Sequence, residues 1–224
     1  MKGEQGNQIT QSVADVFKRI KEAATRAGRD PREITLVAVS KGVGQEAILT
    51  AARAGVTVFG ENRVQEAYDK FSEETFLPSV SLHFIGSLQM NKVKKTVGFF
   101  KLIHSIDSVP LAEKVEEEAN SQSLVQSVLI QVNIGNEAQK GGVFVKEFPS
   151  LLATVQKSSH LKLMGLMTIP PISKDPRPYF SRLRELAASF GLTGLSMGMS
   201  SDFEVAISEG ASWVRIGTAI FGER

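Results

Sequence analysis

The sequence predicts an α/β fold, a single-domain (β/α)8 TIM barrel with an extra N-terminal helix, and three observations favour it. Eight short apolar runs alternate with segments of helical periodicity, which is the pattern of repeated β-α units around a parallel sheet. The length of 224 residues lies near the short end of the range for this barrel. No linker or shift in composition divides the chain, so residues 1–224 are expected to form one domain. An open doubly wound sheet is the alternative.

The predicted elements follow this alternation along the chain. An amphipathic helix over 8–27 ends at the stop signals Gly28 and Pro31. Strands are predicted at 34–39, 56–59, 82–85, 101–106, 126–134, 161–167, 194–197 and 212–216. Helices are predicted at 45–54, 62–74, 89–97, 108–121, 146–157, 176–190 and 202–208. Because so few residues follow the last strand, we expect the N-terminal helix to cover the gap there in the outer ring of helices.

The composition excludes several classes of function. Lys and Arg number 26 against 24 Asp and Glu, and no dense basic block with interleaved aromatic residues suggests nucleic-acid binding. The chain has no cysteine, which excludes disulfides, thiolate catalysis and cysteine-ligated metal centres, and its three histidines are scattered. With neither a signal-peptide core nor a run of 18 apolar residues, we expect a cytoplasmic protein without a membrane partner.

The segment ITLVAVSKGVGQEA, residues 34–47, supports two hypotheses. Its glycines form a G-x-G-x-x-A pattern from Gly42, and Glu61 lies at a suitable distance downstream to bind the ribose of a dinucleotide. Alternatively, Lys41 places an amine at the end of a strand, where partial desolvation in a barrel mouth would make it nucleophilic towards an aldehyde. The dinucleotide hypothesis is the weaker one, because the pattern is short and the anion-binding segments lie at the far end of the chain.

Two segments after the last predicted strands are typical of anion binding. MGMSSDF offers Ser200 and Ser201 just before a helix, so that hydroxyl and backbone N–H groups can converge. RIGTAIFG adds Gly217 and Thr218, and loops seven and eight of such barrels form a common phosphate site. A reactive lysine beside a phosphate site would suit pyridoxal phosphate, which has an aldehyde and a phosphate. The alternative is that one of the serines only caps the helix.

Six segments form a specific combination along the chain. They are VAVSK, FGENRVQE, LHFIGSLQMNK, GLMTIP, LSMGMSSDFEVAI and WVRIGTAIFG. Together, from about residue 8 to the end, they resemble the pyridoxal phosphate homeostasis protein family. The resemblance implies a barrel related to the N-terminal domain of alanine racemase, which holds pyridoxal 5'-phosphate as a Schiff base and balances vitamin B6 without established turnover. SKGVG departs from the family, in which a threonine and a proline often follow the lysine.

The resemblance also implies roles for individual residues. Lys41 becomes the Schiff-base lysine, and Arg215 lies near the pyridine ring of the cofactor. A guanidinium cannot accept a proton, so Arg215 would keep the ring nitrogen unprotonated and disfavour carbanion chemistry, unless it points outward or pairs with a buried carboxylate. Asn62 either reaches the cofactor or caps the next helix. The residues that fall at the phosphate are Ser200, Ser201, Gly217 and Thr218.

A racemase-like enzyme is the alternative function. It needs an acid–base group opposite Lys41, but Tyr68 and Tyr179 lie on predicted outer helices, and His83 is expected to pack inside strand three. We therefore expect a monomeric binding protein that buffers the cofactor or passes it to apo-enzymes, with no metal site. Lys140, in the loop after strand five, is either a second amine that receives the cofactor or a solvated charge.

Overall fold

Parallel strands close into a barrel in the computed structural model, which describes residues 2–71 and 80–223. Within these residues the strands are β1 Thr35–Val39, β2 Val58–Glu61, β3 Ser81–Phe84, β4 Leu102–Ile106, β5 Gln126–Asn133, β6 Val143–Phe144, β7 Leu161–Met167, β8 Leu195–Ser196 and β9 Trp213–Ile216. The order β4-β3-β2-β1-β9-β8-β7-β5 is closed by pairing of β4 with β5, and β6 pairs with β5 outside the ring. The predicted (β/α)8 barrel is confirmed, and the open sheet is excluded.

The helices lie outside the barrel. They are α1 Lys2–Arg26, α2 Gln45–Arg53, α3 Val64–Phe71, α4 Val93–Thr96, α5 Val109–Ser121, α6 Phe148–Lys157, α7 Arg177–Ser189, α8 Phe203–Ser208 and α9 Thr218–Phe221. The apolar face of α1, including Val13, Val16 and Ile20, is buried, and α1 packs against α2, α8 and α9. It therefore fills the outer ring between the first and last units, as predicted. None of the helices in the described residues is long and apolar enough to cross a bilayer.

The structure differs from the sequence prediction at several places. β2 runs over Val58–Glu61 instead of 56–59, because residues 56–57 after the turn that follows α2 are not yet part of the strand. The helix expected over 89–97 is a 3₁₀ turn followed by the four-residue α4. The elements β6 and α9 have two and four residues, which is too short for a periodic pattern to reveal. Residues 72–74 of the expected helix 62–74 lie outside the described residues.

A close approach of two glycines positions the seventh barrel strand, β8. Gly165 on β7 has φ of +141°, and a Cβ added there would overlap the carbonyl oxygen of Gly194, just before β8. Only glycine allows the two backbones to pass at this separation. The loop after β8, which carries Ser200 and Ser201, therefore takes its position from this contact.

Candidate functional site

A cavity of about 660 Å³ opens at the carboxyl ends of β1, β8 and β9. This is the face on which barrels of this type carry their active sites. Val39, Met199 and Glu223 contribute to its wall. The structure brings six of the seven predicted site residues to this cavity: Lys41, Ser200, Ser201, Arg215, Gly217 and Thr218.

Lys41 lies on a tight turn that leaves β1. The Val43 N–H donates to the Ser40 carbonyl at 3.0 Å, and Gly42 has φ of +68°, a backbone conformation that favours glycine. Gly44 then forms the N-cap of α2. The turn leaves Lys41 exposed at the cavity, whereas the sequence led us to expect a partly desolvated amine.

Glu61 points away from the cavity into the protein. It is fully buried, and its Oε1 accepts hydrogen bonds from Ser40 Oγ at 2.7 Å and from Lys70 Nζ at 2.9 Å. Burial raises the pKa of the Glu61 carboxyl, against the opposing effect of the hydrogen bonds from Ser40 and Lys70. A carboxylate held in this way is not available to a ribose, so the dinucleotide hypothesis is wrong.

Arg215 reaches from the cavity wall into the barrel interior. Its Nη1 donates to Ser196 Oγ at 2.7 Å and its Nη2 to the Thr168 carbonyl at 2.8 Å, and the residue is only 4% exposed. The outward-pointing alternative is therefore wrong. Burial lowers the pKa of Arg215 to about 10, against the raising effect of Asp202, so the guanidinium is still charged at neutral pH.

Two buried histidines extend the hydrogen-bond chain from Arg215. Ser196 Oγ lies 2.8 Å from His104 Nδ1, and His104 Nε2 lies 3.0 Å from His83 Nδ1. The guanidinium donates to the Ser196 hydroxyl, while the donor in each of the other two hydrogen bonds depends on the tautomers of the histidines. Burial lowers the pKa of His83 to about 4 and that of His104 well below its ordinary value, so both rings are neutral at pH 7.

The position of His83 in this hydrogen-bond chain confirms that it packs in the interior. The other two members, His104 and Ser196, were missed by the sequence analysis. Side chains alternate along a strand, so His104 shares a side of β4 with Leu102, which packs with Leu129 and Met167. This alternation could have indicated an interior position for His104. No sequence signal joins His104 to Ser196, which lies 92 residues away.

The loops after β8 and β9 meet at Ser200. Its Oγ accepts hydrogen bonds from the backbone N–H groups of Gly217 and Ala219, both at 3.3 Å. Asp202, and neither serine, is the N-cap residue of α8, and its Oδ1 accepts from the Met199 N–H at 2.6 Å. The helix-capping alternative for the serines is therefore wrong. Backbone donors and hydroxyl groups converge here, as expected for an anion site.

Asn62 is the predicted site residue that the structure does not bring to the Lys41 cavity. It lines a separate cavity of about 470 Å³ together with Ser87 and Lys92. Nor does it cap α3, since the first helical carbonyl, which accepts from the Ala67 N–H, belongs to Arg63. The Asn62 Oδ1 is buried without a hydrogen-bond partner. The helix-cap expectation for Asn62 is therefore contradicted, and its contact with the cofactor stays a prediction.

The candidate second amine, Lys140, and the candidate acid–base group Tyr68 are not among the residues that line the cavity. Lys140 forms an ion pair with Glu137 at 2.7 Å and donates to the Pro170 carbonyl at 3.0 Å. Tyr68, on α3, stacks on Phe99 with ring centroids 4.0 Å apart. Within the described residues, no cluster of three or more His, Cys, Asp or Glu side chains could hold a metal ion.

The fold and the site together define a class of protein: parallel α/β barrels with a lysine and two converging loops at the mouth. The alanine racemase N-terminal domain family matches residues 12–224. The pyridoxal phosphate homeostasis protein of Aquifex aeolicus is 45% identical over 221 residues, covering 95% of this chain and 96% of the relative. The protein of the same name from Pseudomonas aeruginosa is 43% identical over 221 residues, covering 96% of each chain.

A solved structure agrees with these relatives. PipY of Synechococcus elongatus, solved with PLP bound, superimposes with a TM-score of 0.84 at 36% identity, covering 96% of this chain and 100% of PipY. The chain belongs to the pyridoxal phosphate homeostasis protein family, within the group that shares the alanine racemase N-terminal fold. The family resemblance inferred from the sequence is confirmed.

Proposed function

We propose that this chain binds pyridoxal 5'-phosphate in the Lys41 cavity and serves vitamin B6 homeostasis by buffering or delivering it. The observation that carries the proposal is the donor set: the cavity combines an accessible lysine amine with the hydroxyl and backbone N–H groups at Ser200, Gly217 and Ala219. An aldehyde and a phosphate on one small molecule match these two features. The volume of about 660 Å³ lies within the roughly 300–1,000 Å³ of ligand pockets. The names of the relatives and the PLP-bound PipY support the same ligand.

Each residue of the cavity has a distinct task in this proposal. Lys41 supplies the amine for a Schiff base, and Ser200, Ser201, Gly217 and Thr218 bind the phosphate. Arg215 presents N–H donors to the pyridine nitrogen. The cofactor supplies an aldehyde and, when its ring nitrogen is protonated, an electron sink. Because Arg215 is held by Ser196 and Thr168 and cannot accept a proton, it keeps that nitrogen unprotonated and favours holding over turnover.

A racemase-type enzyme is the second candidate function. Glu223 favours it, because a carboxylate in the cavity wall can act as a base. Against it, the curated relatives are named as homeostasis proteins. In addition, the candidate acid–base residue Tyr68 stacks on Phe99 and is not among the residues that line the cavity. Formation of a D-amino acid by the purified protein, lost in Lys41→Ala and Glu223→Gln, would favour the enzyme.

We extend the proposal to the location, the oligomeric state and the partners of the protein. We place it in the cytoplasm as a monomer, with residues 1–224 as one binding unit and apo-enzymes that use the cofactor as transient recipients. The near-neutral balance of charges, 26 positive against 24 negative side chains, suits brief encounters with many partners.

One spectrum tests the binding proposal. The purified protein is scanned with and without added pyridoxal 5'-phosphate, reduced with borohydride and mapped by peptide mass. We expect a visible absorbance band and a single reduced label, on Lys41. Lys41→Ala should lose both, and Lys140→Ala, the matched control, should keep both. A label on another residue, or no label at all, contradicts the proposal.

A further inference from the structure

The ammonium group of Lys70, on α3, is the centre of a charged cluster beneath the Lys41 turn. Its Nζ donates to the Ser40 carbonyl at 2.6 Å, to Glu61 Oε1 at 2.9 Å and to Glu66 Oε1 at 2.6 Å. These three acceptors match the three N–H donors of an ammonium group. The side chain of Lys70 is 12% exposed and that of Glu61 is fully buried, so solvent screens these interactions only weakly.

The two carboxylates of this cluster hold the backbone on both sides of Lys41. Before the lysine, Ser40 Oγ donates to Glu61 Oε1 at 2.7 Å. After it, the Gly42 N–H donates to Glu66 Oε1 at 2.5 Å. Glu61, Glu66 and Lys70, which we name the Lys70 clamp, thus connect β2 and α3 to the residues that flank Lys41 in the chain.

The turn needs such a clamp because its own sequence is permissive. Gly42 has a positive φ and Gly44 follows two residues later, and glycine restricts the backbone least of all residues. The clamp makes three direct contacts to Ser40 and Gly42, and none of its members lines the cavity. The clamp therefore holds the residues on both sides of Lys41.

We propose that the Lys70 clamp positions Lys41 for Schiff-base formation, which makes Glu61, Glu66 and Lys70 positioning residues of the site. The inference rests on the proposed function. In the step concerned, the neutral ε-amine of Lys41 attacks the aldehyde carbon and a C=N bond replaces the C=O bond. The aldehyde oxygen leaves as water with the two amine hydrogens, and no oxidant or reductant is needed. A fixed backbone reduces the number of conformations that the Lys41 side chain must sample before its amine reaches the aldehyde carbon.

Two measurements separate positioning from general binding. The first is the rate at which pyridoxal 5'-phosphate becomes trappable on Lys41 by borohydride. The second is the affinity for pyridoxine 5'-phosphate, whose alcohol cannot form an imine, so that it reports ring and phosphate contacts alone. For Glu66→Ala we expect the labelling rate to fall about tenfold, with the affinity for pyridoxine 5'-phosphate unchanged. Glu117→Ala, which removes an exposed i,i+3 ion pair with Lys114 on α5, is the matched control and should change neither.

A second variant protects the test against misfolding. Lys70→Met alone leaves the buried Glu61 without its cation, so the double variant Lys70→Met/Glu61→Gln removes both charges together. We expect the double variant to slow labelling at least as much as Glu66→Ala. Wild-type labelling rates in both variants overturn the clamp, as does an equal loss of affinity for pyridoxine 5'-phosphate. A wild-type protein that acquires no label at Lys41 overturns the proposed function, and the clamp with it.

Discussion

Arg215 and Ser196 are joined by a buried hydrogen bond of 2.7 Å between Nη1 and Oγ. Because a guanidinium only donates, Ser196 Oγ is the acceptor of this bond, and the same hydroxyl also forms a hydrogen bond with His104 Nδ1. One charged side chain at the cavity is thereby linked through Ser196 to two buried histidines, His104 and His83. The same bond holds the guanidinium that we assign to the pyridine nitrogen.

Replacing Ser196 tests this link. Ser196→Ala leaves a donor of Arg215 and the Nδ1 of His104 without their partner in the interior, and we expect a loss of about 1–3 kcal/mol in the free energy of unfolding. Urea denaturation followed by circular dichroism measures it. Ser181→Ala, on the exposed side of α7, is the control and should change stability by less than about 0.5 kcal/mol. Equal stability of the two variants would contradict the role of the link.

The neutral histidines predict a loss of stability in acid. The pKa of His83 is lowered to about 4 in the folded protein, against about 6.5 for a free histidine, so the unfolded chain binds more protons between these values. The contribution of His83 to the free energy of unfolding is therefore complete above about pH 6.5. It decreases as the pH falls and is smaller by about 2 kcal/mol at pH 5. Denaturation curves of the wild type and of His83→Gln at pH 7 and pH 5 should show the smaller acid loss in the variant. An identical loss in both proteins refutes the assignment.

Ser200 should contribute to affinity for the cofactor. Ser200→Ala removes the hydroxyl that links the Gly217 and Ala219 N–H groups to the loop after β8. We expect the dissociation constant for pyridoxal 5'-phosphate to rise about tenfold, the effect of one lost hydrogen bond to a charged group. Titration of the visible band measures it. Ser208→Ala, at the exposed end of α8, serves as the control, and an unchanged constant in Ser200→Ala would remove Ser200 from the phosphate site.

The close approach of Gly165 and Gly194 predicts a severe packing defect. A Cβ at residue 165 would overlap the Gly194 carbonyl, in a backbone conformation that side chains rarely adopt. For Gly165→Ala we expect a loss of at least about 3 kcal/mol in the free energy of unfolding, or a protein that fails to fold. Gly6→Ala, on α1 with no atom within 4 Å of the added Cβ, should leave stability unchanged or raise it. Thermal melts of both variants decide between these outcomes.

The barrel and most of the cavity could be predicted because they depend on local patterns. Strand and helix periodicity places each element, and the carboxyl ends of parallel strands must share one face of a barrel. Lys41, Ser200 and Gly217 could therefore be grouped before their distances were known, although they lie up to 176 positions apart in the chain. The family resemblance added Arg215, which no spacing rule selects.

Residues whose position depends on loop conformation or on long-range pairing could not be predicted. Asn62 directly follows β2, but it lines a different cavity from Lys41. The partners of Glu61 could not be derived either, because the hydrogen bond from Ser40 joins the ends of two strands across 21 residues. The exposure of Lys41 likewise depends on the geometry of its turn.

The hydrogen bonds at Ser200 have a consequence for the release of a ligand. The N–H groups of Gly217 and Ala219 already have an oxygen acceptor within the protein, the hydroxyl of Ser200. A phosphate that binds there gains only the difference in hydrogen-bond free energy between a charged acceptor and this neutral one. When the phosphate leaves, both N–H groups still have an acceptor. In the proposed function, a site whose donors stay paired when it is empty suits the release of the cofactor as well as its binding.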